Sequence, residues 1–178
     1  MKKLRYFEYT VQKLVEWYNE TGSLLSNQSN DFNKLKVLKL HFFVSAISSN
    51  ENDLGLLKIF DKFCAMPYGH VESQVYDNLK HSIIQISRNG IENLAELQNI
   101  DFPDVEENIK DQINEAISKL KDANPSLINY SPFMLVDLSH AWSSWRTMYR
   151  LAKQLGKSSI AIPTHMIQRE EKMYALMN

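Results

Sequence analysis

The stretch AMPYGHVESQVY, residues 65 to 76, decides how the rest of the chain is read. It sets Pro67, a Tyr68-Gly69 pair and His70 against the start of an apolar stripe. Glycine takes positive φ without steric cost, so Tyr68-Gly69 reads as a sharp turn. Downstream, Val71, Val75, Leu79 and Ile83 recur at helical spacing and predict a helix over 71 to 87 that leaves this corner. Upstream, Leu56, Ile59, Phe60 and Phe63 outline a short helix closed at Pro67 and Gly69. The corner is therefore expected to be a bend in a helical fold, aiming the helix that follows, with a binding role second.

Outward from it the same period continues. Leu4, Phe7, Val11, Leu14, Val15 and Tyr18 form a stripe that Gly22 stops, and Tyr6, Tyr9 and Trp17 lie off it. Helix one is thus apolar around more than half its circumference and should be sandwiched. SNQSNDFN, residues 26 to 33, reads as loop, with Asn33 as N-cap of the next segment. That segment, KLKVLKLHFFVSAIS, alternates at first like a strand, but Leu35, Leu38, Phe42 and Ala46 keep a helical period and its length favours helix. A linker with Gly90 and Pro103 leads to Asp104, the expected cap of the helix drawn by Val105, Ile109, Ile113, Ala116, Ile117 and Leu120. Ser131-Pro132 is an N-cap followed by proline at the first helical position. Trp145, Met148, Ala152 and Leu155 make an inner face until Gly156, Ile160 to Pro163 are extended, and Thr164 begins a last helix with Met166, Met173 and Leu176 inward. The expectation is a mainly α, compact single-domain bundle of about six to seven helices with one short extended segment, spanning residues 1 to 178.

Composition narrows the function. A chain of 178 residues can bury roughly 70% of its unfolded surface without staples. Twenty Lys and Arg against 21 Asp and Glu leave a net charge of −1, so no global field draws the protein to nucleic acid or to an anionic membrane. Cys64 is the single cysteine, which excludes an internal disulfide and multi-cysteine metal sites and fits a reducing cytoplasm. No stretch approaches membrane-spanning length, so a cytoplasmic protein is expected.

No reaction centre emerges from the residue types. No two of His41, His70, His81, His140 and His165 stand at the i, i+4 spacing of a helical metal site. Asp137 stands near His140 and is able to orient an imidazole, yet helix neighbours point different ways, so a hydrogen-bonded structural histidine is the simpler reading. His70, at a turn, is expected to face solvent or cap a helix. Cys64 reads as a small core residue, since a reactive thiolate needs positive charge beyond Lys62. Phosphate-binding glycine motifs are absent, so no cofactor is expected. The acidic residues Asp101, Asp104, Glu106, Glu107 and Asp111 mark a helix N-terminus, where the macrodipole favours negative charge, better than a calcium loop. Arg146, Arg150 and Lys153 recur at i, i+4, i+7 as a basic ridge, a solvated face or a docking strip for an acidic partner.

Four segments in order, LKVLKLHFF (35 to 43), FCAMPYGHVESQVY (63 to 76), LVDLSHAWSSW (135 to 145) and IPTHMIQREEKMY (162 to 174), resemble the Panacea domain of SocA-like antitoxins. That family shows a KLxKLLYF-like helix, an A-x-x-YGPV turn entering a helix with a VY pair, an L-x-x-L-[ST]-H segment with a proline-tryptophan downstream, and a closing helix. Residue by residue, Ala65, Tyr68, Gly69 and Val71 occupy the turn motif, Val75 and Tyr76 the helix after it, His140 the histidine and Trp145 the tryptophan. Two positions depart: His70 stands where the family has proline, and Ser144 stands before the tryptophan in place of proline. Residues 88 to 130 match least.

The resemblance implies an antitoxin that holds a cognate toxin protein in a stoichiometric complex and, in some members, delivers it to a protease. It implies no catalytic residue, and the balanced charge and the lack of a spanning stretch argue against membrane contact or strong nucleic-acid binding. The residues it marks for partner binding are Ala65, Tyr68, Gly69, His70, Val71, Tyr76, His140 and Trp145, to which the ridge Arg146, Arg150 and Lys153 is added. The alternatives are a proteolytic adaptor, a phage-associated accessory protein, or a small helical hydrolase using His140, which would then line a pocket with a second polar group in reach.

Overall fold

A computed structural model describes residues 2–22 and 30–176 of the chain. Among them run α1 (Lys2–Glu20), α2 (Lys34–Ile47), β1 (Phe63–Met66), β2 (Gly69–Glu72), α3 (Ser73–Asn78), α4 (Glu107–Ala123), α5 (Pro132–Ala141), α6 (Ser143–Gln154), β3 (Ile160–Ala161) and α7 (Thr164–Arg169), with short 3₁₀ turns between them. The fold is mainly α, as the periodicity predicts. Residues 26 to 29 of the expected loop lie outside the described residues; residues 30 to 33 belong to no helix or strand.

The centre of the molecule is α2. Asn33 caps it by accepting the Lys36 amide, at 3.0 Å, so the strand-like alternation of its first half yields to a helix. Packing closes on every side of it: Val37, Leu40, Phe42, Phe43 and Val44 are all buried. Each buried Phe contributes about 2–3 kcal/mol of apolar burial. Lys36 and Lys39 are buried with them. Lys36 is neutralised by Asp31 at 2.7 Å and lies over the rings of Tyr18 and Phe32. α1 packs against both α2 and α4, which also meet each other, and Tyr6, Tyr9 and Trp17 are buried alongside the main stripe, as its breadth predicts.

The corner at 65 to 76 departs from expectation. Instead of two helices meeting at a bend, β1 and β2 form an antiparallel hairpin in which Cys64 opposes Val71 and Ala65 opposes His70. β3 pairs on the other side of β1, so three strands stand where one extended segment is expected. Leu56 and its neighbours form only a 3₁₀ turn, Gly55–Lys58, and Phe63 opens β1.

The helix expected over 71 to 87 is confined to α3, followed by a 3₁₀ turn to His81. Two carboxylates, one local and one from α1, set its limits. Glu72 caps the start by accepting the Val75 amide at 2.7 Å, and the buried Glu8 takes the Ile83 amide at 2.8 Å, where a continuing helix would need it. Lys3 and Arg5 neutralise Glu72 and Glu8, each at 2.8 Å.

Other expectations change in detail. Asp104 does not cap α4; it pairs with Arg5 at 2.8 Å, and α4 begins after Glu106, whose carboxylate accepts from Lys2 and Tyr6. The segment 88 to 103 is a packed strap rather than a linker: Ile91, Leu94, Leu97 and Phe102 are buried, and Gln12 Nε2 donates to the carbonyls of Leu97 and Ile100, both at 2.8 Å. Ser131 caps α5 through the Met134 amide, as read. Leu155 is exposed, leaving Ala152 as the buried member of its expected face. α7 ends at Arg169, so Met173 and Leu176 pack half-buried from a non-helical tail, which Trp142 Nε1 and Asn124 Nδ2 hold through the carbonyls of Met173 and Tyr174. No helix among the described residues is long and apolar enough to cross a membrane.

Candidate partner-binding site

The hairpin is fixed from beneath at four backbone points. In an antiparallel pair the backbone groups of alternate residues point away from the partner strand, and those of His70 face the outer edge of β2. There the His70 amide donates to Ser139 Oγ at 3.0 Å, and the His70 carbonyl accepts from Lys39 Nζ. Trp145 Nε1 donates to the Met66 carbonyl at 2.9 Å, and the His140 ring faces the Pro67 carbonyl. The edge is thereby closed by side chains of α2 and α5 rather than left open to another strand.

The His70 ring completes this clamp. It is fully buried, not solvent-facing or helix-capping, and stacks on Phe42 with centroids 3.7 Å apart and planes 6° from parallel. Nδ1 lies 2.9 Å from Ser139 Oγ and Nε2 lies 2.9 Å from Ser144 Oγ. Each hydroxyl donates or accepts as needed, so both ring nitrogens are satisfied in either neutral tautomer. Burial, then the nearby Lys39 and His140, hold His70 well below the usual imidazole range. Burial alone pushes Lys39 down to about 7. Gly69 has φ +99°, and a Cβ built on it would lie 2.4 Å from Ser139 Oγ. The turn requires glycine twice over, for its φ and for this approach.

His140 is a positioned aromatic. Its ring stacks on Trp145 at 3.7 Å, Trp145 stacks in turn on Tyr149 at 4.8 Å, and burial lowers the imidazole's affinity for a proton. Nε2 is buried without a hydrogen-bond partner among the described residues. Asp137 is exposed and forms no hydrogen bond to the ring there, so the orienting pair suggested by their spacing is not formed. Cys64 is half-buried, and burial pushes its thiol up, away from thiolate chemistry. No group of three or more His, Cys, Asp or Glu among the described residues gathers to hold a metal ion.

Above the clamp lies an open groove of about 530 Å³ between α2, the hairpin turn and α3. Its walls are Leu35, Leu38, Met66, Pro67 and Val71, with Tyr68 and Tyr76 rising beside it and Asn33, Lys34 and Arg88 supplying the polar positions. Tyr68 is 59% exposed and Tyr76 is 42% exposed.

The motif residues therefore divide. Ala65, Gly69, His70, His140 and Trp145 hold the hairpin; Tyr68, Val71 and Tyr76 face the groove. Arg146, Arg150 and Lys153 are all solvent-exposed on α6, and Lys153 lies over the Tyr149 ring. They do not line the groove. Sequence reading missed Lys39 and the groove surface contributed by Lys34, Leu35, Leu38 and Arg88. A lysine inside the apolar run VLKLHFF was the available signal for the first. No family model matches the chain, and comparisons with curated proteins and with solved structures give no significant match.

Proposed function

We propose that this protein is an antitoxin that neutralises a cognate toxin in the cytoplasm by direct, stoichiometric binding, and that it transforms no bond. The single observation that supports this most is the pairing of a rigidly clamped hairpin with an exposed aromatic groove. Four side chains from α2, α5 and α6 hold the backbone of residues 66 to 70, while Tyr68 and Tyr76 remain free at the surface. Preformed binding faces spend little ordering entropy on association, and tyrosines beside an apolar pocket are common binding anchors. The positions that resemble the Panacea motif contribute to both parts.

A hydrolase built on His140 finds less support. Asp137 does not hold its ring, Nε2 is enclosed, and its contacts are the Pro67 carbonyl and the face of Trp145. Ser139 and Lys39 are fully buried and already committed to the His70 backbone, and a nucleophile there has no approach from solvent.

The reading is tested by producing the product of the neighbouring gene, alone and together with this protein. Antitoxin action gives growth arrest in the first case, and rescue with a co-purifying complex in the second. Rescue without a complex counts against it.

A further inference from the structure

We infer that the groove between α2 and the hairpin turn receives an apolar segment of the toxin flanked by carboxylates, with Lys34 and Arg88 selecting for the negative charge. This rests on the antitoxin reading and adds the face and the chemistry of the contact.

The volume of about 530 Å³ lies within the range of roughly 300–1,000 Å³ over which clefts hold ligands. The floor is apolar, and the charged residues lining it are Lys34 and Arg88, with no Asp or Glu. Lys34 Nζ lies 5.5 Å from the centroid of the Tyr76 ring, and neither cation has a carboxylate partner among the described residues. Lys2, Lys36 and Lys121 have carboxylate partners in Glu106, Asp31 and Glu20, and exposed Arg146, Arg150 and Lys153 have none among the described residues, so what distinguishes Lys34 and Arg88 is that both line an apolar groove that no carboxylate lines. A net charge of −1 supplies no general positive field, so this rim is a local feature. An incoming carboxylate would find two unmatched cations at the edge of an apolar trough.

Other occupants fit less well. A second copy in a two-fold dimer would place this face against itself, bringing like charges together with no acid to meet them. A small polar ligand needs convergent polar groups in the pocket, and Asn33 has already committed its side-chain oxygen to the Lys36 amide. Nucleic acid would meet two cations, too few for strong phosphate binding.

The test uses the full-length chain and the purified product of the neighbouring gene. Affinity is measured by calorimetry at low and moderate salt for the wild type, for Lys34→Glu with Arg88→Glu, and for Lys157→Glu as a surface control, after matching their melting temperatures. The inference expects the double reversal to weaken binding at least tenfold and remove most of its salt dependence, with the control unchanged. It is overturned if the double reversal binds like wild type, or if Arg146→Glu with Arg150→Glu loses affinity while the groove pair retains it. A wild-type dimer in sedimentation that the groove reversal dissociates also overturns it, by assigning the face to a second copy. A wild type that binds no toxin at all fails the antitoxin reading itself, and this inference with it.

Discussion

His70 and Ser144, 74 residues apart, are joined by a 2.9 Å contact between Nε2 and Oγ inside the core. Two residues that look unrelated along the chain share one buried interaction, in which Ser144 of α6 supplies the partner that a ring nitrogen of His70 requires. A buried imidazole nitrogen without such a partner would cost about 1–3 kcal/mol.

This pairing predicts energetic coupling. Ser144→Ala should destabilise the fold by about 1–2 kcal/mol, and the same change in a His70→Phe background should cost markedly less. Urea denaturation of the four proteins of the cycle measures the difference. Simple additivity would show that the contact carries no energy.

Gly69 gives a sharper backbone test. Gly69→Ala forces a Cβ into a residue at φ +99° and against Ser139 Oγ. The strain alone is worth about 1–3 kcal/mol, and the clash adds displacement of the serine that holds His70. The variant should melt clearly lower and lose near-UV ellipticity from the aromatic cluster. Wild-type melting would refute the turn geometry.

Trp145 separates packing from hydrogen bonding. Trp145→Ala removes a ring stacked between His140 and Tyr149 together with the bond to the Met66 carbonyl, and should cost about 2–4 kcal/mol for a half-buried tryptophan. Trp145→Phe keeps much of the stacking and loses the bond, at about 1 kcal/mol. Equal losses in thermal unfolding of the two variants would contradict this division.

Protonation should make stability rise with pH in two windows. Lys39 is held down to about 7 by burial, against an ordinary value of 10.5. Between those values the unfolded chain binds a proton that the folded chain has released, so unfolding free energy climbs toward alkaline pH with a slope approaching about 1.4 kcal/mol per pH unit. His70 is held well below 6.5, so the unfolded chain takes up a proton first as pH falls through 6.5, and stability drops on that side. Lys39→Met should reduce the alkaline slope, most of all between pH 7 and 8, leaving the part contributed by Lys172, which burial also lowers, to about 8. An unaltered alkaline slope in denaturation curves from pH 7 to 10 would show that Lys39 is not the titrating group.

Single-residue cap signals hold at Asn33 and Ser131 and fail at Asp104, whose carboxylate is drawn to Arg5 instead. Asn33 and Ser131 bond the amides their spacing assigns to them, and Thr164 opens the last helix. The hairpin was illegible because FCAM and GHVE are four residues each, too short to show a period of two. Helix 71 to 87 was overdrawn because the acceptor that ends it, Glu8, comes from another helix. The candidate site was visible in part: motif resemblance located Tyr68 and Tyr76, but nothing local indicates that His70 turns inward to meet serines from α5 and α6, or that Arg88 returns beside Lys34.

The central claim is that this chain acts by occupying another protein. Its most direct measurement is the stoichiometry of the purified protein mixed with the neighbouring gene's product, by light scattering coupled to size exclusion, alongside growth of cells carrying either or both. The account predicts a discrete complex of fixed composition and rescue that requires it. Rescue that persists with no complex, at substoichiometric amounts of this chain, would contradict it.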